Sequence, residues 1–277
     1  MEAHAAKKTP YYVISVIILI ILAVLFTFPL YWIITGSFKD TMAINSATPQ
    51  WFPQSPTVDN FTRLFQKPAM RWLINSVVIS IAAMVLTCIT SAMAGYVLAK
   101  KRFFGQAALF TMFICAMALP NQVILIPLLK EMSFLGMHDT LWAVILPTVG
   151  WPFGVFLMKQ FSEGIPTELL EAVRIDGAGE VKVFTQIVLP IIKPGIGALA
   201  IFTFISSWND YFLQLIMLNS KNVLTISLGI AKLQTEMSND FGLIMAGAAL
   251  GSIPIILIFL AFQKYFTQGI TMGAVKG

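Results

Sequence analysis

Residues 171–194, EAVRIDGAGEVKVFTQIVLPIIKP, are the stretch on which the reading of the fold turns. They gather Glu171, Arg174, Asp176, Glu180, Lys182 and Lys193 in a chain that is 57% hydrophobic and only 11% charged. Just upstream, Pro166 suits a first helical turn, where its missing N–H leaves no bond unmade. Glu168 and Glu171 then lie toward the positive end of the helix dipole, with Leu169, Ala172 and Val173 on one side of that helix. Asp176-Gly177-Ala178-Gly179 supplies a turn, because glycine takes positive φ without steric cost. Val181, Phe184 and Val188 recur at i, i+3 and i+7 and predict a second helix that Leu189-Pro190 ends. Each helix needs a cover for its apolar side. Helices lying on lipid headgroups favour Lys and Arg, whereas acids match or outnumber bases around this turn. A groove on another protein is the better cover.

Outward from this segment the chain is apolar. Six runs, at about 12–34, 73–98, 107–129, 141–161, 195–218 and 242–266, approach or exceed the ~20 residues that span a hydrocarbon core. Backbone groups find no partner in lipid, so each run is predicted to be a helix. The first follows Lys7 and Lys8, has no small-residue cleavage site and reads as a retained anchor. The expected fold is an all-α integral membrane protein with six transmembrane helices and both termini cytoplasmic. Residues 1–11 form an N-terminal segment, 12–270 the six-span domain with a cytoplasmic loop at 162–194, and 271–277 a cytoplasmic tail. Basic residues support that orientation. Eleven fall on the cytoplasmic side (Lys7, Lys8, Lys100, Lys101, Arg102, Lys159, Arg174, Lys182, Lys193, Lys264, Lys276) and seven on the other (Lys39, Arg63, Lys67, Arg71, Lys130, Lys221, Lys232).

The excess of basic charge is therefore topological, and no basic stripe interleaved with aromatics points to nucleic acid. Cys88 and Cys115 lie in spans as small packing residues, and His4 and His138 have no second ligand at suitable spacing, so no metal site is expected. A glycine-rich phosphate loop ending in Lys-Ser or Lys-Thr is absent, as is a serine–histidine pair. No catalytic residue is expected. Most spans carry no ionisable group, which disfavours a proton-coupled carrier; Asp210 is the one deep exception.

The run from Glu171 to Pro194 resembles the EAA loop of ABC-importer permease subunits, on Glu171-Ala172, Asp176-Gly177-Ala178, Phe184, Ile187, Leu189-Pro190 and Pro194; Val173 stands where that family usually has alanine. Ser206-Ser207-Trp208-Asn209-Asp210-Tyr211-Phe212 looks like the W-N-D signature of carbohydrate-importer permeases. The tail, Phe262 to Gly269 and Gly273-Ala274-Val275-Lys276-Gly277, is similar to that of the second permease subunit of maltose and multiple-sugar importers, and Ser37-Phe38-Lys39 and Asn75-Ser76 extend the likeness. The resemblance implies a type I permease bundle in a bacterial or archaeal cytoplasmic membrane, forming half of a sugar pathway. It implies a homologous second permease as heterodimer partner, two cytoplasmic ATPase subunits that hold the ATP and magnesium, and an extracytoplasmic sugar-binding protein. This chain itself would bind no cofactor and would contact membrane lipid but no nucleic acid.

By that resemblance Glu171, Ala172, Asp176, Gly177 and Ala178 couple to the ATPase. Gly273, Val275, Lys276 and Gly277 reach the ATPase interface, unless the tail is a frayed terminus. Trp208, Asn209, Asp210 and Tyr211 stand halfway along the fifth span, either contacting sugar or tying helices together by hydrogen bonds. Gln234, Glu236, Asn239 and Asp240 lie in the 219–241 loop, which either faces the receptor or is simply solvated. Pro120, Pro127, Pro147, Pro152 and Pro254 are expected as kinks. Gly247 and Gly251 are expected at a close helix approach, and Trp72, Trp142 and Trp151 as interface anchors or pore liners. Other solutes, such as glycerol phosphate or polyamines, share the coupling loop; an ion-coupled secondary sugar carrier is a more distant alternative.

Overall fold

The computed structural model describes residues 10–236 and 240–274. The helices are α1 (Pro10–Ser37), α2 (Thr41–Ile44), α3 (Asp59–Phe65), α4 (Ala69–Lys100), α5 (Gln106–Met117), α6 (Asn121–Phe134), α7 (Trp142–Val149), α8 (Pro152–Glu163), α9 (Thr167–Ile175), α10 (Glu180–Val183), a π-helical turn (Phe184–Val188), α11 (Leu189–Ile191), α12 (Lys193–Asn209), α13 (Tyr211–Met217), α14 (Ile226–Glu236) and α15 (Phe241–Ala274). No strand occurs among the described residues, as the lipid argument requires.

Helices over 11–37, 69–100, 142–163 and 241–264 are long and apolar enough to cross a membrane, and two bent pairs raise the number to as many as six if each pair is one span. The expected third span is not one helix: α5 and α6 meet at 107°. Pro120 does more than kink it. Ala118 and Leu119 turn back to the carbonyls of Cys115 (3.1 Å) and Ala116 (3.2 Å), and α6 restarts at Asn121. The expected fifth span, 195–218, is likewise broken. It stops at Asn209, and Asp210, with ψ of 75°, caps α13 by accepting from Leu213 N–H at 3.2 Å.

Two compact units make up the described chain: residues 10–67 with 232–236 and 240–250, and residues 68–231 with 251–274. In the first, α1 is apolar on all sides, the pattern of a helix surrounded by lipid or protein. Near its end Phe28, Tyr31 and Trp32 pack on Trp51 and Phe52, and the Tyr31 hydroxyl donates to the Trp51 carbonyl. Buried Asn60 donates to the carbonyls of Ser37 (2.9 Å) and Lys39 (2.8 Å). The Lys39 ammonium donates to the Gln50 carbonyl and lies 4.1 Å from the Trp32 ring centre; burial pushes its pKa down.

In the second unit α4 is the central strut. Its buried face, including Trp72, Asn75, Ser76, Ile79, Ser80, Ala83, Thr87, Cys88, Ser91, Ala92, Gly95 and Tyr96, repeats at helical spacing and packs on α7, α8 and α12. Small residues there let backbones approach, which is how helices associate where apolar burial gives no advantage over lipid. Polar side chains join the helices: Asn75 donates to the carbonyls of Asn222 and Leu224 (both 2.9 Å), and the Ser76 hydroxyl accepts from Ile226 N–H at 2.9 Å. Trp72 is buried against Gly229 rather than standing as an interface anchor, while Trp142 is exposed.

Candidate functional site: the Asp176–Gly179 turn and the broken-helix cavity

The turn expected at Asp176–Gly179 is present. Asp176 caps α9, Gly177 takes φ of +83°, its N–H reaches the Arg174 carbonyl at 3.0 Å, and Ala178 N–H reaches the Val173 carbonyl at 3.2 Å. These two bonds define a Schellman C-cap, which satisfies carbonyls the helix end leaves open and requires a left-handed residue at Gly177. The side facing the molecule is held by a core of Tyr96, Met158, Ile165, Leu170, Val183 and Val188, against which Val173, Ala178 and Phe184 pack. The opposite side is open. Glu171, Ala172, Asp176 and Gly177 are exposed there, and Ile175 and Val181 stand 86% and 78% exposed.

After α10 the helix does not end at Leu189-Pro190. Leu189 N–H reaches back five residues to the Phe184 carbonyl, and the chain runs on through Pro190 to Ile191 before bending by 76° into α12. A widened turn immediately ahead of a proline absorbs its missing N–H and the clash it brings to a regular helix.

A cluster that sequence spacing does not disclose fixes this element to α4. Glu180 Oε1 accepts from Arg174 Nε at 3.1 Å and pairs with the Lys101 ammonium, while the buried Tyr96 hydroxyl donates to Oε2 at 3.2 Å. Arg174 Nη2 is also 3.4 Å from that hydroxyl. The hydrogen bond from Lys101 leads in holding the Glu180 carboxyl below the usual range, against its partial burial and with help from the Arg174 charge. For Arg174, burial pulls the pKa down, but Glu180 and Tyr96 more than offset it and the net direction is up.

Of the four residues expected along the pathway, Asp210 lines the cavity at the helix breaks and the other three do not. Trp208 is buried and stacks on Phe204 with ring centres 5.6 Å apart, Asn209 is exposed, and Tyr211 is half-buried. The cavity has a volume of about 320 Å³, and three helix breaks of this unit open onto it: Leu119 and Asn121 between α5 and α6, Gly150 and Trp151 between α7 and α8, and Asp210 between α12 and α13. Gln122, Thr148 and Ser206 add amide and hydroxyl groups, and Asp210 is the one charged residue in the lining. Discontinuous helices build such sites because the freed backbone can only line a cavity or be buried in protein. Asn121 and Gln122 were not singled out by sequence; the amide pair following Pro120 was the available signal.

The outer-loop candidates separate. Gln234 is exposed on α14, while Asp240 caps α15 by accepting from Leu243 N–H at 3.1 Å and pairs with Arg63. The Glu236 side chain, Asn239, Val275, Lys276 and Gly277 lie outside the described residues; Gly273 falls near the end of α15. Cys88 is buried, Cys115 is exposed, and among the described residues no cluster of His, Cys, Asp and Glu is arranged to hold a metal ion.

Comparison with known proteins agrees with this architecture. The chain is 36% identical over 260 residues to the arabinooligosaccharides transport system permease protein AraQ of Halalkalibacterium halodurans, covering 92% of this chain and 93% of that protein. It is 32% identical to the maltodextrin transport system permease protein MdxG of Bacillus subtilis, covering 94% of each. A chain from the crystal structure of a bacterial ABC transporter that imports the acidic polysaccharide alginate has the same fold, with a TM-score of 0.83 at 20% identity over 96% of this chain and all of that one. Residues 91–272, which hold the Asp176–Gly179 turn, the Glu180 cluster and every residue of the broken-helix cavity, match a single family model. The chain belongs to the family of binding-protein-dependent transport system inner membrane components.

Proposed function

We propose that the chain is one permease half of an ATP-driven sugar importer, crossing a bacterial or archaeal cytoplasmic membrane six times with both termini inside. The observation that carries this reading is the coupling turn. Its inner side is fixed on the chain's own core, yet Ile175 and Val181 are left in the open beside Glu171, Ala172 and Asp176. Large aliphatic side chains at the tip of an acidic turn suit a cleft on a protein rather than anionic headgroups. That protein is a cytoplasmic ATPase, present in two copies and carrying the ATP and magnesium, with Glu171, Ala172, Asp176, Gly177 and Ala178 as the contact. By the same resemblance the tail residues Gly273, Val275, Lys276 and Gly277 are assigned to that ATPase interface. A homologous permease completes the pathway, and an extracytoplasmic binding protein delivers sugar to the outer loops near Gln234 and Glu236.

ATP-driven closure of the ATPase pair pushes on the coupling turn, and the packed helices convert the push into alternating access. Sugar passes the broken-helix cavity, where the Trp151 indole offers a stacking face and Asn121, Gln122, Thr148 and Asp210 offer hydrogen-bond partners. The two relatives named above for arabinooligosaccharides and maltodextrin suit a sugar cargo, and a neutral oligosaccharide needs such groups and no cation. One observation favours a second reading: a carboxylate as the sole lining charge also fits a cationic solute such as a polyamine.

The test is ATPase activity and uptake by the assembled complex in proteoliposomes, with raffinose, maltotriose, arabinotriose and spermidine as probes. Sugar-dependent hydrolysis that Glu171→Ala and Asp176→Ala abolish, with basal turnover intact, supports the importer. Stimulation by spermidine alone selects the second reading. Uptake by this chain alone that collapses with the ion gradient refutes both.

A further inference from the structure

We propose that Glu180 is a positioning residue that sets the angle at which the coupling turn is held on α4; the inference rests on the importer reading above. The apolar packing of this element, in which Val173, Ala178 and Phe184 lie against a core that includes Val183 and the α4 residue Tyr96, is non-directional and tolerates sliding. One carboxylate supplies the direction. Glu180 joins the first turn of α10 to the last turn of α9 through Arg174, and to the end of α4 through Tyr96 and Lys101. Two cations face a single carboxylate, so removing its charge leaves Arg174 and Lys101 opposed across the joint. Tyr96 locks the arrangement from below: its ring lies 5.6 Å from the Phe184 ring while its hydroxyl meets both Glu180 and Arg174. A push on Asp176 or Gly177 therefore reaches α4 through a fixed polar joint, and α4 carries it to α7, α8 and α12.

The experiment measures ATP hydrolysed per sugar imported by the assembled complex in proteoliposomes, with raffinose, maltotriose and arabinotriose as probes. Retention of the ATPase is followed by affinity purification. Glu180→Gln is expected to raise the ratio at least threefold while the ATPase stays bound. Tyr96→Phe, which keeps the ring and loses the hydroxyl, should raise it less. Glu180→Asp, which keeps the charge, should return it to within twofold of wild type. A wild-type ratio in Glu180→Gln overturns the proposal, as does equal damage by Glu180→Asp. Loss of the ATPase also overturns it, since Glu180 would then be a docking contact. A wild-type complex with no sugar-dependent hydrolysis would defeat the importer reading and this inference together; an unaffected Glu180→Gln in a working complex defeats the inference alone.

Discussion

Replacing Gly95 with alanine places a methyl group where α4 meets the backbone of α8. The new carbon would stand 2.6 Å from Lys159 N, from the Met158 carbonyl carbon and from Met158 Cβ. None of these is the free end of a side chain, so relief requires one helix to retreat from the other. Carbon contacts settle near 3.5–4 Å, which makes the retreat roughly 1 Å, along an interface whose neighbours are also close: a methyl on Gly154 would lie 2.4 Å from Ser91 Oγ. Overpacking of this kind costs about 1–3 kcal/mol. At about 2–4 °C per kcal/mol for a chain of this order of size, Gly95→Ala should lower the midpoint of heat-induced unfolding in detergent by roughly 2–12 °C. Gly251→Ala is the control. Its nearest neighbours are Ile226 side-chain atoms at 3.6 and 3.8 Å, an ordinary contact, and alanine is the better helix former, so its midpoint should match or exceed wild type. Scanning fluorimetry of the purified chain measures both. A Gly95→Ala midpoint at or above wild type, or a lower one for Gly251→Ala, would refute the reasoning from helix approach.

Gly177→Ala meets nothing within 4 Å, so its whole penalty is conformational, about 1–2 kcal/mol for a left-handed alanine; sugar-stimulated ATPase should fall about 5–30-fold with basal hydrolysis unchanged. Glu180 has a lowered folded-state pKa, so its contribution is complete above the ordinary value of 4.5 and is lost only as pH falls through the lowered value. The stability difference between wild type and Glu180→Gln, under about 1 kcal/mol for so exposed a group, should be flat from neutral pH down to 4.5 and vanish below it. Asp139 adopts φ of +60° and accepts from Asn219 N–H (2.7 Å), Ser220 N–H (2.9 Å) and the Ser220 hydroxyl. Asp139→Ala should cost about 2 kcal/mol and Asp139→Asn less, because asparagine tolerates the left-handed region; the same thermal scan separates them.

The Asp176–Gly179 turn was legible because its signals are local. Asp176-Gly177-Ala178 is a helix stop whose geometry needs glycine, and the surrounding charges rule out burial in lipid. The broken spans were less legible. Pro120 announces a lost hydrogen bond but not whether the two halves stay nearly collinear or meet at 107°; neighbouring helices decide that. Asp210 breaks α12 without proline or glycine, and the W-N-D run reads equally as mid-helix until its carboxylate is seen capping α13. Close helix approach was expected at Gly247 and Gly251, yet a methyl meets backbone at Gly95 and an aromatic ring at Gly195; spacing within one helix does not say which side a partner will take. The Glu180 cluster was invisible for a related reason: Tyr96 is 84 residues away.

The π turn at Phe184–Val188 sets a rotational phase. It winds one more residue into the helix than regular pairing allows, and each α-helical residue advances the chain by about 100°. Deleting a single residue here would restore regular hydrogen bonding and, in doing so, spin everything upstream by that angle relative to α12. Glu180 would then turn away from Lys101 and Tyr96, and Val183 out of the core. The segment should accept many side-chain exchanges but no change in length, so that its indel tolerance, rather than its composition, is the signature of a part that must point one way.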